Sequence, residues 1–213
     1  MTDNALVIGS TGLVGRLLVN ELTKKNISTI AVTRRPIKNN SYSKSLLEVD
    51  FNSAIDNKKI PPCDHIYICL GSTIKKAGSQ QAFRKVDFEY SLEFAKIARN
   101  MGAKKISLVS SVGANCNSKN FYLRVKGELE EAINNLDYDQ INIYRPSLLI
   151  GTRDETRFLE KMGQNFSFLI NLLLWGFLKK YRSINANRLA ACIANAKDKI
   201  GTNYYYYEDY WWN

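Results

Sequence analysis

Tyr122 and Lys126 stand four residues apart in the run Tyr122-Leu123-Arg124-Val125-Lys126, so on a helix they share one face of a single turn. An ammonium beside a phenol favours the phenolate, and a tyrosine so placed can give or take a proton near neutral pH. A chain this rich in tyrosine and lysine shows such a spacing by chance, so position must carry the argument. The pair opens a helical pattern behind a strand that ends in Ser110-Ser111-Val112-Gly113. The carboxyl ends of strands are where open α/β sheets hold their ligands. A serine hydroxyl there is placed to hold a substrate oxygen. The plain alternative is that Tyr122 and Lys126 are surface residues of an ordinary helix.

A second constellation is Gly9-Ser10-Thr11-Gly12-Leu13-Val14-Gly15, which lies where an apolar strand, Ala5 to Ile8, turns into a helical pattern. Gly9 permits the tight turn, Gly12 lets backbone N–H groups approach a pyrophosphate, and Gly15 lets the helix lie close to the strand. The helix N-terminus then faces a dianion. About 20 positions further on, a carboxylate would bind the ribose hydroxyls of NAD and repel a 2′-phosphate. The sequence instead reads Thr33-Arg34-Arg35-Pro36, and forked guanidiniums suit a phosphate. The reading is NADP(H) more than NAD(H), against the alternative of two solvated arginines. Asp50 is placed either to reach the adenine edge or simply to form a turn.

The elements that must position these residues alternate. Short β-rich runs are Ala5 to Ile8, Ser28 to Thr33, Ser45 to Val49, His65 to Leu70, Ile106 to Ser110 and Gln140 to Tyr144. Helical patterns lie at Leu13 to Lys24, about Gln80 to Met101 and about Asn120 to Leu136. In the long one Phe83, Val86, Tyr90, Phe94, Ile97 and Met101 recur at helical steps, and Gly102 stops it. This order predicts an α/β fold, a doubly wound parallel sheet of Rossmann type. A small C-terminal helical region on the substrate side follows. Beyond Pro146 the alternation stops, and the stretch 166–178 (FSFLINLLLWGFL) is the most apolar in the chain. It is too short for a bilayer, which needs about 20 residues. It reads as a cleft cover or a surface for a homo-oligomer or protein partner, with membrane-surface contact the lesser alternative. Tyr204 to Tyr207, with Trp211 and Trp212, reads as a last edge strand.

Length and composition set the limits. The 213 residues, 45% of them apolar, fit one domain over 1–213, with 146–200 as its substrate-side elaboration. A glycine turn this near the first residue leaves no room for a secretory leader ahead of the fold. Cys63, Cys69, Cys116 and Cys192 form no CxxC pair, and His65 is the one histidine, so no metal site is expected. Four reduced thiols point to the cytoplasm. The formal charge of +10 is spread over lysine doublets rather than basic runs, which argues against a nucleic-acid partner.

The residues also resemble the short-chain dehydrogenase/reductase superfamily, and more closely its atypical branch of small NAD(P)-binding proteins. The resemblance rests on the glycine turn, Val32 to Pro36, Cys69 to Thr73 with Lys75 to Ser79, Val86-Asp87, Leu108 to Ser111, Tyr122 through Glu128, and Arg145-Pro146-Ser147. It implies Ser111, Tyr122 and Lys126 as the catalytic set, with Lys126 also holding the nicotinamide ribose. Leu70, Gly71 and Ser72 would line the cofactor, and Thr33, Arg34 and Arg35 would receive the adenosine phosphate. The backbone after Arg145-Pro146 would border the nicotinamide, although Ser147 stands where glycine is usual. The implied activity is hydride transfer between NADP(H) and a small carbonyl or alcohol substrate, with the nicotinamide as hydride carrier. Two alternatives remain: a redox sensor or scaffold that binds NADP(H) without turnover, and a nucleotide-assisted epimerase or isomerase. Fold alone does not decide among them.

Overall fold

The computed structural model describes residues 4–34, 46–151, 179 and 181–211. The opening run forms β1 (Ala5–Ile8), buried along its whole length. An unbroken apolar run suits a strand covered on both faces. Leu6 and Ile8 join one core with Phe94, Leu129 and Ile133. Ala5 and Val7 join the other, with Leu18, Leu22, Leu189 and Ile193. Each fully buried Leu, Ile or Phe in these cores contributes about 1.5–3 kcal/mol relative to exposure.

After α1 (Leu13–Lys24) come β2 (Thr29–Thr33), β3 (Leu46–Glu48), α2 (Phe51–Asp56), β4 (His65–Ile68) and α3 (Ile74–Ala77). The long helical pattern becomes α4 (Gln80–Arg84), a π-turn at Lys85–Tyr90 and α5 (Ser91–Asn100). Then follow β5 (Lys105–Val109), α6 (Phe121–Asn134), β6 (Gln140–Tyr144), β7 (Leu149–Ile150), β8 (Ile184–Asn185), α7 (Ala186–Ala194) and β9 (Gly201–Tyr205). Seven strands form one sheet in the order β3-β2-β1-β4-β5-β6-β9. All its pairings are parallel, as the alternating pattern requires. The order reverses at β1 and β4, the switch point at which such sheets bind ligands.

Of the C-terminal aromatics, Tyr204 and Tyr205 lie in the expected edge strand, while Tyr207–Trp211 form a 3-10 turn instead. β9 runs parallel to β6 with Tyr144 opposite Tyr205, their rings stacked 4.6 Å apart. Gly102 ends α5 at a φ of +101°, and the Ala103 amide bonds the Ala98 carbonyl at 3.0 Å. Two details differ from the sequence reading. Met101 is 41% exposed, because it lies past the end of α5 as its C-cap while Phe94 and Ile97 stay buried. The small sheet of β7 with β8, and the bounds of α7 within the expected C-terminal helical region, were not foreseen. Arg35, Ser45, Trp212, the stretch 166–178 and most of the span proposed as substrate-side elaboration lie outside the described residues. Among the described residues no helix is long and apolar enough to cross a membrane. All four cysteines carry free thiols, and His65 is a core residue, bonded through Nε2 to the Ser107 hydroxyl at 2.9 Å and stacked on Tyr67.

Candidate functional site

The glycine turn is built for close backbone approach. Gly9 adopts a φ of +84°, and a Cβ there would lie 2.7 Å from the Cys69 carbonyl group. A Cβ on Gly15 would meet the Gly9 carbonyl oxygen at 2.3 Å, so helix and strand touch through bare backbone. The Ser10 hydroxyl is buried and donates to the Val32 carbonyl at 2.7 Å, tying the turn to β2. Gly12 caps α1 without any side-chain hydrogen bond, leaving the first helical N–H groups open to an anion.

A cavity of about 440 Å³ opens over this turn, within the range of about 300–1,000 Å³ usual for small-molecule sites. Its walls are Gly9, Thr11 and Gly12, then Val32, Thr33 and Arg34, then Cys69 to Ser72, with Phe51, Lys76, Ala77, Ala82 and Val86. Among the described residues, Arg34 and Lys76 are the charged members of that wall, and none is a carboxylate. Bare amides, a helix start and two cations fit the phosphates of a dinucleotide.

Of the residues expected to bind cofactor, Gly9, Thr11, Gly12, Thr33, Arg34, Leu70, Gly71 and Ser72 therefore share one cavity. Ser10, Leu13, Val14, Gly15, Asp50, Lys126, Arg145 and Pro146 are not part of its lining. Asp50 is the N-cap of α2, its carboxylate on the Ser53 amide at 2.9 Å, while its neighbour Phe51 faces the cavity with Arg34 5.4 Å over its ring. Phe51 and Lys76 were missed; nothing in their local sequence distinguishes them from a core aromatic and a surface lysine.

Tyr122 and Lys126 lie in the first turns of α6, which Asn120 caps by accepting from the Leu123 amide at 3.2 Å. The helix can pack this closely because Gly127 has no Cβ; one would lie 2.2 Å from the Asn115 backbone. Tyr122 is half-buried beside the Phe83 ring, 5.6 Å between centroids. Lys126 is buried, with its ammonium 2.8 Å from Asp87 Oδ1. Asp87 lies in the π-turn, fully buried, and its Oδ2 accepts from the Ser72 amide at 3.0 Å. Burial alone would lower the Lys126 pKa, but Asp87, with Tyr122 and Glu130 nearby, holds it above the ordinary lysine value. The ammonium therefore stays charged under Tyr122. Asp87 was missed although it left a signal: it falls at helical spacing among Phe83, Tyr90 and Phe94, an inward position where an acid demands a partner.

One turn further along α6, Glu130 accepts from the Ser110 hydroxyl and from Arg145, whose Nε lies 3.1 Å from Oε1 and 3.2 Å from Oε2. Burial works against the Arg145 charge, and Glu130 overcomes it, raising its pKa further. Ser110 is thus committed to Glu130. The Ser111 hydroxyl, half-buried, makes a long 3.3 Å bond to the Val112 carbonyl. Glu130 too was missed, though it extends the stripe of Tyr122 and Lys126 by another step of four.

A seven-stranded parallel sheet with a glycine turn at its switch point defines the Rossmann class of dinucleotide-binding proteins. The chain belongs to the NAD dependent epimerase/dehydratase family, whose pattern matches residues 5–209. It is 37% identical over 169 residues to "Protein FMP52, mitochondrial" of Lodderomyces elongisporus, covering 74% of this chain and 71% of that one. It is 30% identical over 169 residues to Protein HTATIP2 of Rattus norvegicus, covering 76% and 69%. Its fold matches the crystal structure of human epimerase family protein SDR39U1 with NADPH at a TM-score of 0.65, with 16% identity over 95% of this chain and 74% of that one. The mitochondrial relative overturns the expectation of a cytoplasmic protein. Reduced thiols mark any reducing compartment, and that inference took them for one alone.

Proposed function

We propose that the chain is an NADP(H)-dependent oxidoreductase acting on a small carbonyl or alcohol, with Tyr122 as acid/base, Lys126 as its tuner and Ser111 as substrate anchor. The observation that supports it best is the Lys126 ammonium, buried and charged one helical turn from Tyr122. A bound nicotinamide would supply or accept the hydride. Tyr122 would pass its phenolic proton to the substrate oxygen, and Lys126 would hold the resulting phenolate and bond the ribose. Ser111 would fix the substrate oxygen, since its own hydrogen bond is long and easily exchanged. Arg34, with Arg35 beside it in sequence, supports NADP over NAD, and calorimetry comparing NADPH with NADH checks that preference. The mitochondrial relative supports a mitochondrial location.

The family match also favours a second reading, epimerisation assisted by the dinucleotide. The two part on consumption: a reductase depletes NADPH with a carbonyl substrate, and an epimerase leaves its total unchanged. In a screen of carbonyl compounds followed by NADPH absorbance, Tyr122→Phe is expected to lower turnover by about 10²-fold or more, the scale of general acid–base catalysis. NADPH affinity should stay near wild type. Unchanged turnover removes Tyr122 from the mechanism.

A further inference from the structure

The C-terminal aromatic segment has no part in the site described so far, yet it reaches the serine turn through three side chains. The Tyr206 hydroxyl accepts from Arg145 Nη1 at 2.7 Å, and the Arg145 guanidinium lies 4.6 Å over the Tyr204 ring. Arg145 in turn grips the Glu130 carboxylate, which takes the Ser110 hydroxyl. The main chain follows the same route. The Arg145 amide bonds the Tyr205 carbonyl at 2.9 Å, the Ser110 amide bonds Tyr144 at 2.8 Å, and the Val112 amide bonds Pro146 at 2.8 Å. Ser111 sits between those last two bonds.

We propose that Glu130 and Tyr206 are positioning residues for the serine turn at the end of β5, acting through Ser110 and Arg145. The C-terminal segment thereby sets the wall against which a substrate oxygen would rest. This use of Ser111 rests on the proposed function; the mechanical link does not. Three observations carry it. Glu130 is 4% exposed and Arg145 21%, and a buried ion pair adds little stability over an apolar pair of equal volume, so geometry is what it supplies. The guanidinium fork fixes the carboxylate plane through several bonds at once, which a lysine would not do. Ser110 and Ser111 are adjacent, so engaging one hydroxyl leaves the other as the one open to a ligand.

Tyr206→Phe, Glu130→Gln, Ser110→Ala and the double variant Glu130→Gln/Ser110→Ala, made in the full chain, test this. Amide hydrogen exchange is followed in the peptides spanning 107–114 and 5–24, beside NADPH affinity and, on a carbonyl substrate found in the screen, kcat and KM. Exchange across 107–114 is expected to quicken about tenfold in Glu130→Gln and in Ser110→Ala, the scale of one lost hydrogen bond. The double variant should be no faster than Glu130→Gln alone, because Ser110 acts through the Glu130 carboxylate. Tyr206→Phe, which keeps the ring and removes the hydroxyl, should quicken the same peptide by a smaller factor, and its kcat should fall with the KM for NADPH unchanged. Exchange that is unaltered in 107–114, that rises equally in 5–24, or that adds up in the double variant overturns the link. A wild-type chain that binds no NADPH overturns the proposed function instead, and the exchange arms still decide the link.

Discussion

Lys126 and Asp87 hold their charges 2.8 Å apart with side chains 3% and 0% exposed, and the same carboxylate also takes the Ser72 amide from the cavity wall. One acid therefore joins α6 to the cavity over the glycine turn. Asp87 shares the inward face of Phe83, Tyr90 and Phe94, so its carboxylate meets both partners inside the fold.

Removing one member of such a pair strands a buried charge, which costs about 3–5 kcal/mol, whereas replacing both by apolar residues is often close to neutral. Asp87→Leu is thus expected to lower unfolding stability in urea by that amount, and Asp87→Leu/Lys126→Met to recover most of it. An Asp87→Leu protein as stable as wild type contradicts the buried pairing.

Gly12 and Gly15 of the turn should respond differently to one added methyl. In Gly15→Ala the new carbon runs into backbone, 2.3 Å from Gly9 O and 2.9 Å from Gly9 C, and overpacking of this kind costs about 1–3 kcal/mol. In Gly12→Ala the nearest atom is Gly9 O at 3.3 Å, so the fold gives slightly and survives, while the methyl enters the cavity wall. Thermal unfolding should therefore single out Gly15→Ala. Calorimetry should show Gly12→Ala folded with weakened NADPH binding. A Gly12→Ala chain that binds NADPH as wild type does separates this turn from the ligand.

The order of elements was legible because each half-buried or fully buried strand leaves its own period, and because Gly9, Gly12 and Gly15 sit at one junction. The cavity wall from Gly9 to Ser72 followed from that junction and from the carboxyl ends of β2 and β4. What escaped were contacts between distant elements. Asp87 reaches Lys126 across 39 positions of chain and Arg145 reaches Tyr206 across 61, and neither pairing has a local spacing to betray it. Asp50 shows the converse: a residue with two local readings, placed by the fold as a helix cap on α2. The short α7 was hidden by its neighbourhood, because nine residues beyond an apolar stretch offer too few turns to establish a period.

Two thiols, Cys63 in the core and the half-buried Cys69, give the molecule an alkaline limit. Burial pushes Cys69 up to about 12, and burial with the nearby Asp64 charge does the same to Cys63. Both remain protonated in the folded chain while their unfolded counterparts ionise from about pH 9. Above that point the folded state binds more protons than the unfolded one, so stability falls as pH rises. Their contribution is whole below about 9 and is lost progressively toward about 12. Urea midpoints measured at about pH 8 and about pH 10.5 should show this decline, and Cys63→Ala/Cys69→Ala should decline less steeply because two of the linked protons are gone. Identical slopes would mean that neither thiol is shielded as its surroundings indicate.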